Sequence, residues 1–181
     1  MNQFLDRFKI RLVLWWFRLT GKLKPKGDLL AIRREGSGVG SALIILPKGR
    51  DDSRIARYFL KSLKPDGKVD LRILMDNSLY HSITETPPAT VETYSADDVS
   101  WFSLPKRDLI RRILANKYHA VVDMHPSFNL STAYLTYLSG APLRVGFSSR
   151  FSGKFFNIEI ERKSNHFIEQ SYLSIQKLLN L

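Results

Sequence analysis

A group of charged residues follows the first apolar segment of the globular part of the chain. The stretch LIILPKGRDDSRIARYFLKSL, residues 43–63, has the pattern of a buried strand, a short loop and a helix. The loop carries four charged residues, Lys48, Arg50, Asp51 and Asp52. Loops at the carboxyl ends of parallel strands form the ligand sites of α/β proteins. Carboxylates there can take a proton from a hydroxyl group, and the cations can hold phosphates or carboxylates.

Further polar residues lie in and after two later apolar segments. Asp123 and His125 come at the end of HAVVDM and just beyond it, which predicts that they share a rim with the first loop. Arg144 lies in the segment LRVGF. Each of these residues has a structural alternative. Asp52 or Asp123 can cap a helix or hold a loop, and Arg144 can make a structural ion pair.

The elements that must position these residues alternate along the chain. Apolar runs typical of strands occupy residues 42–46, 69–75, 90–94, 119–124 and 143–147, with a further short strand within 155–161. Helical patterns occupy residues 53–63, 78–83, 106–118, 129–140 and 165–181. This alternation predicts an α/β fold with a single doubly wound, mainly parallel, Rossmann-like sheet over residues 42–181. A glycine-rich linker, 27–41, precedes it and does not match a dinucleotide fingerprint, because its glycines come before the strand.

The first 26 residues form a basic, apolar helical arm. Nine Lys or Arg residues against two Asp residues give residues 1–34 a net charge of +7, out of +11 for the whole chain. Arginines interrupt the apolar run and no small-residue cleavage site follows, so a signal peptide is not expected. Phe4, Phe8, Leu12, Trp15 and Leu19 share one helical face. The arm is predicted to lie on an anionic membrane surface; the alternative is packing on its own domain or a second subunit.

Composition excludes several other classes of site. The chain of 181 residues suits one domain, and it has no cysteine for a disulfide or a thiolate metal site. Its four histidines do not fall at the spacing of zinc ligands, so neither a metal nor a cofactor is predicted. Nucleic-acid binding is not expected despite the basic charge, since that charge is concentrated in the apolar arm.

Three segments carry motifs that occur in order. The first is the strand, loop and helix of residues 43–63. The second, YHAVVDMHPSFNLSTAYLTYLSGAPLRVGF, has a strand ending in Asp, a helix, and the run Gly-Ala-x-x-Arg-x-Gly-Phe. The third is the helical segment NHFIEQSYLSIQKLL, with a His followed by a Tyr-Leu pair. Together, over about residues 42–181, they resemble the acceptor-binding half of family 9 glycosyltransferases, the heptosyltransferase-like enzymes of lipopolysaccharide assembly.

The resemblance implies a GT-B half-domain and assigns roles to the charged residues. Asp52 falls at the family's Asp, the proposed catalytic base, although the preceding Gly of the family is Asp51 here. The expected acceptor-binding residues are Lys48, Arg50, Asp51, Asp123, His125 and Arg144. In the family a nucleotide-sugar-binding half would follow, so the resemblance implies a truncated or split enzyme that works with a separate donor-binding protein.

The expected function is therefore acceptor binding in lipopolysaccharide or envelope-glycan assembly. The acceptor would be a phosphorylated lipid-sugar, and the protein would lie peripherally on the cytoplasmic face of the membrane. The alternative is a non-catalytic scaffold or binding protein that retains the glycosyltransferase fold.

Overall fold

A sheet of parallel strands forms the centre of the molecule. The computed structural model describes residues 2–23, 39–48, 69–80, 89–161 and 168–179. Within these ranges the sheet has six strands, β1 (Ser41–Ile45), β2 (Asp70–Asp76), β3 (Thr90–Tyr94), β4 (Ala120–Asp123), β5 (Leu143–Phe147) and β6 (Ile158–Ile160). Their order is β3-β2-β1-β4-β5-β6 and every neighbouring pair is parallel. The predicted Rossmann-like fold class is thus confirmed.

The strand order places a switch point between β1 and β4. The chain builds outward from β1 through β2 to β3, then returns to the other side of β1 with β4. At such a reversal the loops after the two central strands diverge and leave a crevice at their carboxyl ends. Ile45 pairs with Asp123 at this edge, so the loops carrying Lys48 and His125 start side by side.

Helices cover both faces of the sheet, which explains why its central strands are continuously apolar. The described helices are α1 (Asn2–Leu19), α2 (Asn77–Tyr80), α3 (Arg107–Ile113), α4 (Leu130–Leu138) and α5 (Ile168–Leu179). Short 3₁₀ turns lie at Ala96–Asp98 and Ser152–Lys154. On one face α5 packs through Tyr172 and Ile175. On the other, Leu109 of α3 and Leu135 of α4 pack on the strands.

The helix α1 packs on its own domain along one side. Val13, Leu14 and Phe17 are buried against α4 and against Phe155 and Phe156, which precede β6. The packing alternative therefore holds for this side of the helix. No helix in the described ranges is long and apolar enough to cross a membrane. The predicted helix at 53–63 and most of the linker lie outside the described residues.

Candidate functional site

The carboxyl edge of the sheet gathers polar side chains from neighbouring strands. Asp76 ends β2, Tyr94 ends β3 and Asp123 ends β4. Asp76 pairs with Tyr94, and Asp123 is level with the last residue of β1. Because side chains alternate along a strand, all three lie on the face that α3 and α4 cover. Lys48 and His125 follow β1 and β4 and complete the group, which we call the carboxyl-edge cluster.

His125 joins the loops on either side of the switch point. Its ring Nδ1 lies 2.7 Å from Asp123 Oδ1, and its backbone N–H donates to the same oxygen at 3.1 Å. Its Nε2 accepts the backbone N–H of Lys48 at 3.1 Å. A ring nitrogen that accepts a hydrogen bond carries no proton, so the proton of the neutral imidazole is on Nδ1 and is donated to Asp123.

This arrangement gives His125 a positioning role. Both ring nitrogens are engaged, and the residue is 8% exposed. A ligand would have to compete with the backbone N–H of Lys48 for Nε2. His125 therefore connects Asp123 to the backbone of Lys48, across the switch point. With both ring nitrogens engaged, it is poorly placed to take a proton from a ligand.

Asp76 is a buried carboxylate that is kept ionised. The Ser78 hydroxyl donates to Oδ1 at 2.6 Å and the Ser78 N–H at 3.0 Å, while Lys48 Nζ lies 3.3 Å from Oδ2. Burial raises the pKa of Asp76, but the hydrogen bonds from Ser78 and the contact with Lys48 outweigh it, so the net pKa is lowered. At neutral pH Asp76 accepts hydrogen bonds and is a weak base.

Tyr94 brings a hydrogen-bond donor to the same edge. The residue is 4% exposed, and its hydroxyl has no hydrogen-bond partner among the residues that the structure describes. Burial, with the charges of Asp123 and Asp76, raises the pKa of Tyr94 well above its usual value. The phenol therefore stays protonated at neutral pH and offers an O–H near two carboxylates.

The carboxyl-edge cluster can bind a ligand rich in hydroxyl groups. Ionised carboxylates accept hydrogen bonds from hydroxyls, and a hydroxyl can in turn accept the O–H of Tyr94. The Lys48 side chain is 55% exposed, so its ammonium can reach an anionic group on the ligand. The described part of the chain holds no group of three metal-ligating side chains.

The predicted site residues are only partly brought together. Lys48, Asp123 and His125 meet at the switch point. Arg50, Asp51 and Asp52 lie outside the described residues, so the catalytic-base assignment stays a prediction. Arg144 lies elsewhere.

Arg144 lies nearer the amino end of the sheet than Asp123, because it pairs with Val121 in the register of β4 and β5. Its Nη1 donates to the carbonyl of Ala141 at 2.8 Å and its Nε to that of Phe155 at 3.2 Å. The residue is 4% exposed. These contacts favour a structural role in tying the α4–β5 turn to the segment before β6.

The closing helix carries another structural contact. The buried Tyr172 of α5 donates its hydroxyl to the carbonyl of Met124 at 3.1 Å. Met124 lies between Asp123 and His125, so this bond fixes the backbone at the centre of the carboxyl-edge cluster. The Tyr of the third sequence motif thus supports the site from the opposite face of the sheet.

Sequence reasoning missed Asp76 and Tyr94. The signal was present, since β2 ends RILMD and β4 ends AVVD, two apolar runs that each finish in an aspartate. The sequence predicts that the second strand ends at Met75, one residue before Asp76. Tyr94 is an ordinary strand residue by type, and only its place beside both carboxylates gives it a role at the site.

Solved structures with a similar fold include two sugar-transferring enzymes. The glycosyl transferase family 9 structure from Veillonella parvula matches with a TM-score of 0.58 and 19% identity, over 77% of this chain and 41% of that one. The E. coli heptosyltransferase WaaC with ADP matches with a TM-score of 0.55 and 15% identity, over 77% of this chain and 46% of that one. This chain spans less than half of either protein. At these identities the match shows a glycosyltransferase-like, Rossmann-type fold, equivalent to half of a GT-B enzyme.

Sequence comparison places the chain in a family. No curated protein matches it. A family model does match residues 32–178, which include every described strand of the sheet and almost all of α5. The chain therefore belongs to DUF6913, a family of unknown function.

Proposed function

We propose that this protein binds a carbohydrate acceptor at the carboxyl edge, as the acceptor-binding half of a glycosyltransferase whose donor-binding part is a separate protein. The observation that carries the proposal is the carboxyl-edge cluster at the β1–β4 switch point. Two buried carboxylates, a protonated phenol and a half-exposed ammonium lie there together. The glycosyltransferase-like fold supports the same conclusion.

The chemistry of the cluster favours a phosphorylated sugar. Asp76 and Asp123 supply oxygens that accept hydrogen bonds from sugar hydroxyls. Lys48 supplies a cation for a phosphate, and it can turn from Asp76 toward a ligand because its side chain is largely in solvent. Such an acceptor suits lipopolysaccharide or envelope-glycan assembly on the cytoplasmic face of the membrane.

We propose that the base for sugar transfer comes from the residues that follow Lys48 in the sequence. Asp76 has a lowered pKa, and both ring nitrogens of His125 are engaged. Neither is suited to take a proton from an acceptor hydroxyl. Asp52, four residues after Lys48 in the sequence, is the residue we propose for this step.

A non-catalytic binding protein is the second candidate. The specific observation in its favour is that the hydrogen-bonding partners of Asp76 and His125 come from the protein itself. A site so organised can recognise a sugar without transferring it. In this case Asp52 would cap the following helix, as its sequence context also allows.

Ligand titration tests the proposal. The full chain is titrated by calorimetry with a phosphorylated glucosamine disaccharide, its unphosphorylated form and an ADP-sugar. We expect the phosphorylated disaccharide to bind best and the ADP-sugar not to bind. Asp123→Asn should weaken disaccharide binding about tenfold or more, because one charged acceptor is lost at a buried site.

The matched control is Asp70→Asn, which alters an exposed carboxylate at the opposite end of β2. It should leave disaccharide binding unchanged. Binding of the ADP-sugar alone, or an equal effect of Asp70→Asn, would overturn the acceptor-half assignment. A second experiment separates the two candidates: the chain is mixed with its donor-binding partner, once that partner is found, and sugar transfer is measured. Transfer that is lost in the Asp52→Asn variant would support the enzyme. Acceptor binding without transfer would support the scaffold.

A further inference from the structure

The helix α1 has an exposed apolar face besides its packed one. Phe8, Leu12, Trp15 and Leu19 are 59%, 44%, 64% and 66% exposed. At about 100° per residue they fall on one side of the helix, opposite the fully buried Phe17. Four large apolar side chains facing solvent along one helix is unusual for a monomeric soluble protein and marks an interaction surface.

A second segment of the chain enlarges this face. Trp101 and Phe102, in the loop before α3, are also exposed. The Lys9 ammonium lies 4.5 Å from the centre of the Trp101 ring, which fixes this loop beside α1. Together with Trp16, these residues form what we call the α1 outer surface: Phe8, Leu12, Trp15, Trp16, Leu19, Trp101 and Phe102.

Basic residues border the α1 outer surface. Arg7, Arg11 and Arg18 are exposed and follow one flank, between the apolar face and the packed face. Lys22 lies beyond the end of the helix, with its ammonium 4.0 Å from the centre of the Trp16 ring. Residues 2–23 contain five Lys or Arg residues and a single Asp. The surface is therefore apolar at its centre and cationic at its border.

We infer that the α1 outer surface docks on an anionic lipid bilayer, with the aromatic rings at headgroup level and the arginines on lipid phosphates. Tryptophan favours the bilayer interface, and long basic side chains extend from it toward phosphates. Each basic residue near an anionic surface strengthens binding about fivefold. Charge complementarity selects this partner, since a lipid surface supplies both the apolar layer and the negative charge.

A second copy of the chain fits the same surface less well. Two-fold pairing would place the basic borders of two identical surfaces together, with few acidic residues to neutralise them. The inference also stands apart from the proposed function. Lipid docking involves none of the residues of the carboxyl-edge cluster, so either proposal can fail without the other.

Tryptophan fluorescence provides a direct test. The chain has three tryptophans, and all of them belong to the α1 outer surface. The full chain is mixed with vesicles of phosphatidylcholine and phosphatidylglycerol, or of phosphatidylcholine alone. We expect a blue shift of emission, quenching by brominated lipid and co-sedimentation with the anionic vesicles, all weakened by salt.

Variants identify the surface. The double variant Trp15→Glu with Trp101→Glu should reduce co-sedimentation at least tenfold, and so should Arg11→Glu with Arg18→Glu, which retains every tryptophan. The control is Leu173→Glu, at a half-exposed leucine of α5, which adds a negative charge elsewhere and should sediment like wild type. Circular dichroism checks that each variant is folded.

Three outcomes would overturn the inference. One is emission that does not change with anionic vesicles. Another is an equal loss of sedimentation in the Leu173→Glu control. The third is a blue shift that appears without lipid and grows with protein concentration, which would assign the surface to a second copy instead.

Discussion

Two buried aspartates at the carboxyl edge differ in the solvent exposure of their partners. Asp123 is held by His125, which is buried beside it and also anchored to the backbone of Lys48. Asp76 is held by Ser78 and by the half-exposed side chain of Lys48. In the binding mode that we propose, a ligand phosphate draws the Lys48 ammonium away from Asp76, whereas His125 stays in place. We therefore expect ligand binding to change the surroundings of Asp76 and to leave Asp123 fixed.

Replacing Asp76 should change how stability depends on pH. Asp76→Asn removes the charge that Ser78 and Lys48 stabilise, and we expect it to cost about 1–2 kcal/mol at neutral pH, a figure kept low because the Lys48 side chain is half-exposed. The pKa of Asp76 is lowered in the folded state, so its contribution is present above about pH 4 and is lost as the pH falls through the folded value. Urea denaturation from neutral to acidic pH measures this difference.

The control for this measurement is Asp70→Asn, at the exposed start of the same strand. It should change stability by less than about 0.5 kcal/mol at any pH. A deficit for Asp76→Asn that stays constant below pH 4 would mean that the carboxylate charge does not stabilise the fold.

The candidate site was predictable where it depends on strand ends and not where it depends on packing. Asp123, His125 and Lys48 follow recognisable strands, so a parallel sheet places them on one edge. Arg144 could not be assigned from its type, because a guanidinium binds backbone carbonyls as readily as a ligand. The role of Tyr94 depends on the carboxylates at the ends of nearby strands, and the sequence alone does not give the order of the strands in the sheet.

At the scale of elements, the run Gly-Ala-x-x-Arg-x-Gly-Phe is largely explained by structure. Gly140 has a φ of +63° and ends α4, a backbone conformation that glycine adopts without strain. Arg144 binds two carbonyls, as described. A Cβ added to Gly146 of β5 would overlap the ring of Phe156, so the missing side chain lets that ring lie on the strand. The motif joins α4, β5 and the segment before β6.

Adding a methyl group at Gly146 should therefore destabilise the protein. Gly146→Ala forces Phe156 out of the aromatic cluster under α1, and such overpacking costs about 1–3 kcal/mol. Thermal and urea denaturation measure the loss, and adding Phe156→Leu to the same chain should restore part of it.

The matched substitution is Gly40→Ala, where the nearest side-chain atom to an added Cβ is 3.5 Å away, an ordinary contact. It should stay within about 0.5 kcal/mol of wild type. Equal stability of Gly146→Ala and Gly40→Ala would show that Phe156 moves without cost.

Most helices and strands were predictable because their hydrophobic patterns fit only one type of secondary structure. Strand-like patterns bounded by turn residues predicted the six strands that the structure describes, with β3 and β5 at the observed bounds. The helix predicted over 106–118 ends earlier, at Ile113. The strand expected within 155–161 is limited to Ile158–Ile160, because Phe155 and Phe156 belong to the aromatic cluster under α1. In α1 both sides are apolar, so the sequence could not tell which side packs.

The helix α1 packs on the rest of the domain, although its sequence predicts a separate arm. Phe17 is fully buried and stacks on Tyr134 of α4, with ring centres 4.7 Å apart. The buried cluster around it also includes Phe155 and Phe156, and the ring of Phe156 lies against Gly146 of β5. A helix held by this many buried aromatic residues should unfold together with the sheet.

We therefore expect α1 and the sheet to unfold in one transition. Tryptophan emission reports on α1 and the adjoining loop, whereas far-ultraviolet circular dichroism reports on all elements, and we expect their urea transitions to overlap.

Phe17→Ala should shift both transitions together, lowering the free energy of unfolding by about 3–5 kcal/mol, because it leaves a cavity among aromatic rings. Leu19→Ala, two residues on but 66% exposed, should shift neither by more than about 0.5 kcal/mol. If tryptophan emission changed at lower urea than circular dichroism, α1 would be an independent arm; coincident transitions would mean that α1 unfolds together with the sheet.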